Sequence, residues 1–143
     1  MAAGPALSAG RLGAWLVKAR GDEAETQQHL RTGLVHVASR CVRPSYRTGL
    51  VAAGQPVLLW ISGRVPGLPA GIHARGRTTG RVVDDLMPVD LVPLAAPVVR
   101  TALVEHPVLC GLEVLRMPAG SNPSYVTTEQ LAALQDLSEE LRD

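Results

Sequence analysis

Pro56-Val57-Leu58-Leu59-Trp60-Ile61-Ser62 is the stretch of sequence that decides the fold. It is a short, nearly continuous apolar run rich in β-forming residues, which is typical of a strand buried on both faces. A glycine at position 54 precedes the run, and a loop rich in glycine and proline follows it over residues 63–71. We therefore predict a central strand over residues 56–62.

The composition predicts one folded domain. The chain has 143 residues, of which 46% are hydrophobic and 19% charged, and its mean hydropathy is +0.13. This length suits a single core, and this apolar content excludes wholesale disorder. Residues 1–10 are small and apolar without periodicity, so we expect a flexible N-terminal tail followed by a single domain over residues 11–143.

Weaker strand and helix signals lie on both sides of the central run. Strand patterns occur at residues 12–18, 34–38, 72–83, 89–94 and 112–116. Asp22 with Glu25 forms an acidic capping box that begins a helix ending near position 31. Thr127 with Gln130 is a second capping box, which begins a helix ending near position 142. Shorter helical segments are expected at residues 45–53, 98–105 and 107–111.

This pattern of elements defines the fold class. Short strands with Gly and Pro punctuation and a few helices predict an α+β fold, a small, curled, mostly antiparallel β barrel with peripheral helices. We expect the barrel to be incomplete. No sustained βαβ alternation occurs, which argues against a doubly wound sheet.

Charge is segregated along the chain. The formal net charge is only +1, yet residues 1–81 carry +8 and residues 82–143 carry −7. No acidic residue lies between Glu25 and Asp84, a span that contains eight arginines. A basic segment of this length is a first indication of a polyanionic partner.

The usual signatures of catalysis and metal binding are missing from the sequence. Four histidines and two cysteines occur without C-x-x-C or H-E-x-x-H spacing, and no serine lies in G-x-S-x-G. No G-x-x-x-x-G-K-[ST] loop is present either. We therefore predict no catalytic residue, no metal site and no cofactor. The enzyme alternative would have to use Cys41 or His73.

No segment resembles a membrane or secretion signal. The N-terminus lacks a basic segment followed by a long apolar run, and no uncharged apolar run of about 18 residues occurs. We expect a cytoplasmic protein with no membrane partner. Without an oxidising compartment, Cys41 and Cys110 are predicted to be buried thiols.

Aromatic residues are few, and three of the four lie in the basic half. They are Trp15, Tyr46, Trp60 and Tyr125. In one interpretation, arginines hold phosphates while a ring stacks on a base. In the other, both tryptophans belong to the core and the arginines form a solvated face. Residue types alone leave both interpretations open.

Several short motifs follow one another in a recognisable order. The strand Ala14-Trp15-Leu16-Val17-Lys18 comes first, followed by Val42-Arg43-Pro44-Ser45-Tyr46-Arg47 and then by the central run. Gly71-Ile72 begins a further strand, and residues 127–131 begin the last helix. In order and spacing, over residues 14–137, these segments resemble the EVE domain, a member of the PUA-like group.

The chain also departs from the motifs of that family, which are W-L-x-K, G-D-x-V-L-F-Y-H-S, G-I-x-G-x-A and V-T-x-E-E-[LW]. Ala19 stands where the family usually has Ser, Gln55 replaces an Asp, and Ile61 replaces a His. Ala74 and Arg75 also loosen the match to the glycine-rich strand. We expect these departures to lie near the ligand pocket.

The resemblance implies a PUA-like curled barrel with a pocket for a flipped-out, often modified, base of DNA or RNA, and no reaction of its own. Such a pocket requires an aromatic wall, polar groups for the base edge and cations for the backbone. Asn122 lies in the segment where the family has a rim loop. Its amide either meets a base edge or forms an Asx turn before Pro123. The residues expected to bind the nucleic acid are Trp15, Lys18, Arg43, Ser45, Tyr46, Arg47, Trp60, Ser62, Ser121 and Asn122.

Two functions are left to compare. The first is a non-enzymatic reader of DNA or RNA, with a separate effector protein or a second copy of the chain as a further partner. The alternative is a PUA-like barrel that binds a small molecule or a protein without nucleic-acid recognition, which the departures at positions 19, 55 and 61 favour. Arginines around a pocket would favour the first function, and arginines scattered or paired with C-terminal acids would favour the second.

Overall fold

The computed structural model describes residues 7–142, and these residues form one sheet of six strands with helices against it. The strands are β1 (Leu12–Arg20), β2 (Ser39–Cys41), β3 (Pro56–Ser62), β4 (Gly71–Thr78), β5 (Leu86–Val99) and β6 (Ser124–Thr127). The helices are α1 (Ala24–Arg31), α2 (Arg100–Val104), α3 (Glu113–Arg116) and α4 (Thr128–Leu137). Their order across the sheet is β2-β5-β4-β3-β1-β6. The result is a curled half-barrel of α+β class, as the sequence predicts.

The apolar run at residues 56–62 is confirmed as the central strand. Strand β3 pairs with β4 on one side and β1 on the other, and residues 57–61 are all buried. Strand β1 runs parallel to β3, with Trp15 opposite Val57 and Lys18 opposite Trp60. Every other pairing of named strands is antiparallel, so the sheet is mostly antiparallel. Because β1 and β3 are parallel and adjacent, their carboxyl ends lie at the same edge of the sheet.

Apolar side chains alternate along β1 and β3 and supply two cores, one on each face of the sheet. Trp15, Val17 and Leu59 belong to one cluster, which β5 and the segments around Leu34 and Val42 complete. The other cluster contains Leu16, Leu58 and Ile72 and is covered by side chains from the C-terminal helices, namely Leu103, Leu109, Leu112, Val114, Leu134 and Leu141. A parallel strand pair that is buried on both faces explains why the sequence of β3 is continuously apolar rather than alternating.

The indole of Trp15 is a core group with a dedicated hydrogen-bond acceptor. Trp15 is completely buried, and its Nε1–H donates to Gln55 Oε1 over 2.7 Å. The same oxygen accepts from the Ala52 N–H, while Gln55 Nε2 donates to the Leu50 carbonyl. Gln55 therefore satisfies a buried indole that would otherwise lose a hydrogen bond on folding.

Several local predictions are wrong, each for an identifiable reason. Residues 34–38 are not a strand, because Leu34 has a φ of 63° and the chain pairs with β5 only from Ser39 to Cys41. Residues 112–116 are not a strand, because Leu112 is the N-cap of helix α3, and Leu112 and Val114 are buried against the helical side of the sheet. The acidic capping box predicted for α1 is absent. The N-cap residue is Glu23, and its side chain accepts no hydrogen bond from the first turn of the helix.

The other local predictions have mixed outcomes. The Thr127–Gln130 capping box is present in both directions, although α4 ends at Leu137 and a 3₁₀ turn follows. The cysteines are exposed rather than buried. Residues 1–6 of the predicted tail lie outside the described residues, whereas Leu7 is buried in the first core.

A double-mutant cycle tests the role of Trp15. We expect Trp15→Phe to lower the free energy of unfolding by about 1–3 kcal/mol, because it removes the indole donor and leaves a void. Gln55→Ala should also lower the free energy of unfolding. The loss in the double variant should be about 1 kcal/mol smaller than the sum of the losses in the two single variants. Urea unfolding measures all three values. Strict additivity would show that the indole and the amide do not interact.

Candidate functional site

Three contiguous clefts lie at the carboxyl ends of β1 and β3. The first cleft, of about 340 Å³, is lined by Lys18, residues 43–47, Glu113, Met117 and residues 120–123. The second cleft, of about 550 Å³, is lined by Trp60, Ser62, Gly63, Arg64, Pro69, Ala70, Val99, Arg100, Thr101, Val114 and Pro118. The third cleft, of about 250 Å³, shares Lys18, Gly120 and Asn122 with the first and Ser62 and Pro118 with the second.

The loop over residues 117–123 separates these clefts, and the Asn122 side chain fixes it to β1. Strand β6 pairs antiparallel with β1, with Ser124 opposite Leu16, which places Asn122 opposite Lys18. There the side-chain amide takes the place of a peptide group. Lys18 N–H donates to Asn122 Oδ1 over 2.8 Å, and Asn122 Nδ2 donates to the Lys18 carbonyl over 3.1 Å. The Asn122 carbonyl accepts from the Arg43 N–H as well, so one residue joins three segments.

Lys18 reinforces the same loop with its ammonium group. The Nζ atom donates to the carbonyl of Gly120 and, over 3.4 Å, to that of Pro118. Partial burial lowers the pKa of Lys18 from its usual value, and nearby Glu113 opposes this shift. Two of the three ammonium donors are thus used for the loop, and the third is left for a ligand.

An ion pair forms one wall of the first cleft. Arg47 Nη1 and Nη2 each donate over 2.7 Å to the two carboxylate oxygens of Glu113. Ser124 Oγ also donates to Glu113, and Arg47 donates to the Pro123 carbonyl. Burial alone would raise the pKa of Glu113, but these hydrogen bonds outweigh it and the pKa is lowered. The pKa of Arg47 is raised, chiefly by its hydrogen bonds to Glu113.

Two tyrosines flank the Arg47 guanidinium. Its Cζ atom lies 4.9 Å from the centroid of the Tyr125 ring and 6.0 Å from that of Tyr46. Tyr46 is 55% exposed and lines the cleft, and its hydroxyl accepts a bond from the Leu7 N–H. Arg47 and, to a smaller extent, the Leu7 N–H lower the pKa of Tyr46. The first cleft therefore presents a fixed, accessible aromatic ring.

Positive charge dominates the lining of the three clefts. Seven cations contribute to it, and only Glu23 and Glu113 oppose them. The cations are Lys18, Arg20, Arg40, Arg43, Arg47, Arg64 and Arg100. Arg20 pairs with Asp22 outside the lining, and Arg47 pairs with Glu113. Within residues 7–142 the guanidinium groups of Arg43, Arg64 and Arg100 have no hydrogen-bond or ion-pair partner.

The structure brings most of the predicted site residues together. Seven of the ten line the first cleft: Lys18, Arg43, Ser45, Tyr46, Arg47, Ser121 and Asn122. Ser62 lines the second cleft instead, and Trp60 borders the same cleft but is only 4% exposed and belongs to the second core, as the core interpretation of the tryptophans predicts. Trp15 is the exception, because it is completely buried in the core and presents no surface for stacking.

Two further expectations about the site can be compared with the structure. The Asn122 amide hydrogen-bonds to the Lys18 peptide from both sides and does not form the expected Asx turn, while its contact with a base edge stays a prediction. The departures from the family pattern at Gln55 and Ile61 lie away from the first cleft. Gln55 satisfies Trp15, Ile61 is completely buried, and Ala19 is 8% exposed at the border of the third cleft.

Six charged residues of the clefts are missing from the sequence prediction, namely Arg20, Glu23, Arg40, Arg64, Arg100 and Glu113. Glu113 falls in a segment predicted as a strand, and the arginines at positions 40, 64 and 100 belong to no recognised motif. The acid-free arginine segment is a signal for Arg40 and Arg64 but does not extend to Arg100. Only the pairing of β1 with β3 and the path of the chain into α2 bring these residues to one edge.

Metal-binding clusters and membrane-spanning helices are not found in the described part of the chain. No group of three or more His, Cys, Asp or Glu side chains within residues 7–142 is arranged to hold a metal ion. Among the same residues, no helix has the length and apolar character needed to cross a membrane.

The fold defines a class of small α+β proteins built on a curled half-barrel, and solved proteins of this class are known. A protein of Rhodopseudomonas palustris is 15% identical, with a TM-score of 0.68 over 92% of this chain and 97% of that one. A hypothetical protein of Leishmania major is 13% identical, with a TM-score of 0.70 over 95% of this chain and 100% of that one. A Pseudomonas putida protein is 18% identical, with a TM-score of 0.64 over 87% of this chain and 98% of that one. At this identity the similarity shows the fold alone.

Comparison with protein families finds none that matches the chain, and comparison with curated proteins finds no match either.

Replacing Asn122 tests the anchoring of the loop. We expect Asn122→Ala to lower the free energy of unfolding by about 2 kcal/mol, because two hydrogen bonds to a half-buried peptide are lost. Hydrogen exchange at the Lys18 amide should become faster. Ser121→Ala, at an exposed neighbouring position, is the control and should change stability by less than about 0.5 kcal/mol. Unchanged protection of the Lys18 amide in Asn122→Ala would contradict this assignment.

The Glu113 carboxylate should make stability depend on pH. Its pKa in the folded protein lies below the usual 4.5, so the ion pair contributes fully above that value and is lost as pH falls through the folded pKa. We expect Glu113→Gln to be about 3 kcal/mol less stable at pH 7 and the difference to shrink toward pH 3. Urea unfolding of both proteins between pH 3 and 7 measures it. A difference that does not vary with pH would contradict the pairing.

Proposed function

We propose that the chain is a non-enzymatic nucleic-acid-binding domain of EVE, PUA-like type, which takes one plain or modified base of DNA or RNA into the first cleft. The observation that carries this proposal is the run of three contiguous clefts with seven cations and two acids in their lining. Such a concentration of one charge sign raises the local concentration of polyanions and speeds their association.

The first cleft has the size and the groups that a base requires. Its volume of about 340 Å³ lies at the lower end of the roughly 300–1,000 Å³ of small-ligand sites. The exposed ring of Tyr46 supplies a stacking surface, a contact worth about 1–3 kcal/mol per base. The free donor of Lys18 and the hydroxyls of Ser45 and Ser121 are polar groups available to a base edge. In this proposal Tyr46 supplies the aromatic wall of the pocket, because Trp15 is buried in the core.

The cations of the first cleft divide into two kinds. The Arg47 guanidinium is committed to Glu113, so its charge is already compensated. Arg43 is exposed and, within residues 7–142, its side chain has no partner. We therefore assign phosphate contact at this cleft to Arg43.

A second candidate function is supported by the Arg47–Glu113 pair itself. An arginine of the basic half that pairs with an acid of the C-terminal half is the arrangement expected of a barrel that binds a small molecule or a protein instead. In that case the cleft would take a neutral or zwitterionic ligand, and its affinity would depend little on salt.

Titration with oligonucleotides tests the proposal. Fluorescence anisotropy is measured with single-stranded oligonucleotides that carry plain, methylated or hydroxymethylated bases, at 50 and 200 mM salt. We expect at least one of them to bind, with a log–log salt slope of about −0.7 per phosphate contacted. Arg43→Glu should weaken binding and reduce the slope.

Arg11→Glu is the matched control, because it makes the same charge change immediately before β1, at a position that lines none of the three clefts. Arg11 is seven positions along the chain from Lys18, or about 23 Å along a strand. Its effect on affinity should be much smaller than that of Arg43→Glu. Failure of every oligonucleotide to bind would overturn the proposal. Equal losses of affinity in Arg43→Glu and Arg11→Glu would show that the first cleft is not the binding site.

A further inference from the structure

The second cleft is a basic, partly apolar groove that the proposed function does not use. Its walls are formed by Trp60, Val99, Val114 and the two prolines at positions 69 and 118. Two arginines lie in its lining, and no acidic residue does. The cleft therefore combines the two things that a nucleotide needs, which are an apolar surface for the base or sugar and cations for a phosphate.

Both arginines of the second cleft are available to a ligand. Arg64 belongs to the loop between β3 and β4, and Arg100 is the first residue of α2. The Arg100 N–H donates to the Ala70 carbonyl, which fixes its backbone against that loop. The two side chains are exposed, and in the described part of the chain neither makes a hydrogen bond or an ion pair. Free guanidinium groups on two fixed segments suit a phosphate, which accepts bonds from both.

The second cleft is next to the first. Lys18 lines the first and third clefts, and Trp60 borders the second. The two residues are direct neighbours in the pairing of the parallel strands β1 and β3. Neighbouring strands are about 4.8 Å apart, so the two positions are separated by the width of one strand. The third cleft joins them through Ser62 and Pro118 on one side and Gly120 on the other. A ligand that continues from one cleft into the next crosses no acidic residue other than Glu23 in the lining of the third.

We propose that the second cleft holds the neighbouring nucleotide of a strand whose first nucleotide occupies the first cleft, and that the partner is therefore single-stranded DNA or RNA of several nucleotides. This inference rests on the proposed function. Arg64 and Arg100 contact the phosphate, and the exposed prolines at positions 69 and 118 contact the sugar or base above the buried Trp60. A duplex fits less well, because two neighbouring bases would each have to leave the stack at a cost of a few kcal/mol. Single strands present unstacked bases without that cost.

The length of the ligand is the variable that tests this proposal. Affinities of the wild-type protein are measured for a mononucleotide and for single strands of two, four, six and eight nucleotides, beside an eight-base-pair duplex. We expect affinity to rise by about 10- to 100-fold between the mononucleotide and four to six nucleotides, because the second contact becomes intramolecular. The duplex should bind more weakly than the single strand.

The double variant Arg64→Ala/Arg100→Ala separates the two clefts. It should keep the mononucleotide affinity of the wild type and lose the gain in affinity with length. It should also reduce the magnitude of the salt slope for the longer strands by about 0.7, for the one phosphate that the two arginines contact. Arg64→Lys/Arg100→Lys should keep most of the slope. Arg11→Ala/Arg31→Ala removes the same charge from positions that line none of the three clefts, and should behave as the wild type.

The outcomes distinguish the two proposals. The inference about the second cleft is wrong if the affinity of the Arg64→Ala/Arg100→Ala variant rises with oligonucleotide length as much as that of the wild type. It is also wrong if the duplex binds as tightly as the single strand. In both cases base binding in the first cleft stands. If neither mononucleotides nor oligonucleotides bind the wild type, the proposed function fails and the inference fails with it. Thermal unfolding checks that each variant is folded.

Discussion

The paired hydrogen bonds between the Asn122 amide and the Lys18 peptide are the constraint on which the rest of the candidate site depends. Asn122 continues the pairing of β6 with β1 by one further step, using side-chain atoms in place of a peptide. Its own carbonyl holds the Arg43 N–H, so the loop over residues 117–123, the end of β1 and the segment 43–47 are fixed together. Since these three segments supply most of the lining of the first cleft, Asn122 fixes the position of most of its walls.

Many of the residues that look like ligand-binding groups serve the fold, and this decides which groups are left for a ligand. Trp15 is a core residue satisfied by Gln55, and Arg47 is bound to Glu113. Buried polar groups need such partners, because an unpaired one costs about 1–3 kcal/mol. The accessible groups of the clefts include Tyr46, one donor of Lys18, the hydroxyls of Ser45 and Ser121, and the guanidinium groups of three arginines: Arg43, Arg64 and Arg100.

The sequence predicts the central strand, the α+β class, the mostly antiparallel sheet and the C-terminal capping box, because each depends on local pattern. It misplaces residues 34–38 and 112–116, where tertiary contacts override the apolar pattern. Seven of ten predicted site residues meet in one cleft, since their segments were matched through the order of motifs along the chain. Trp15 was misassigned and Arg100 missed, because neither burial nor the meeting of distant segments is visible in residue types.

An NMR titration of the ¹⁵N-labelled protein with a short single-stranded oligonucleotide tests most directly that the cleft edge binds nucleic acid. The two indole signals can be compared, because the 4% exposed Trp60 borders the second cleft, whereas Trp15 is completely buried and borders none of the three clefts. The predicted result is a shift of the Trp60 indole and of the backbone amides of Lys18, Tyr46 and Ser121, with the Trp15 indole unmoved. Absence of shifts, or shifts confined to the exposed valines at positions 35, 83 and 92, would contradict it.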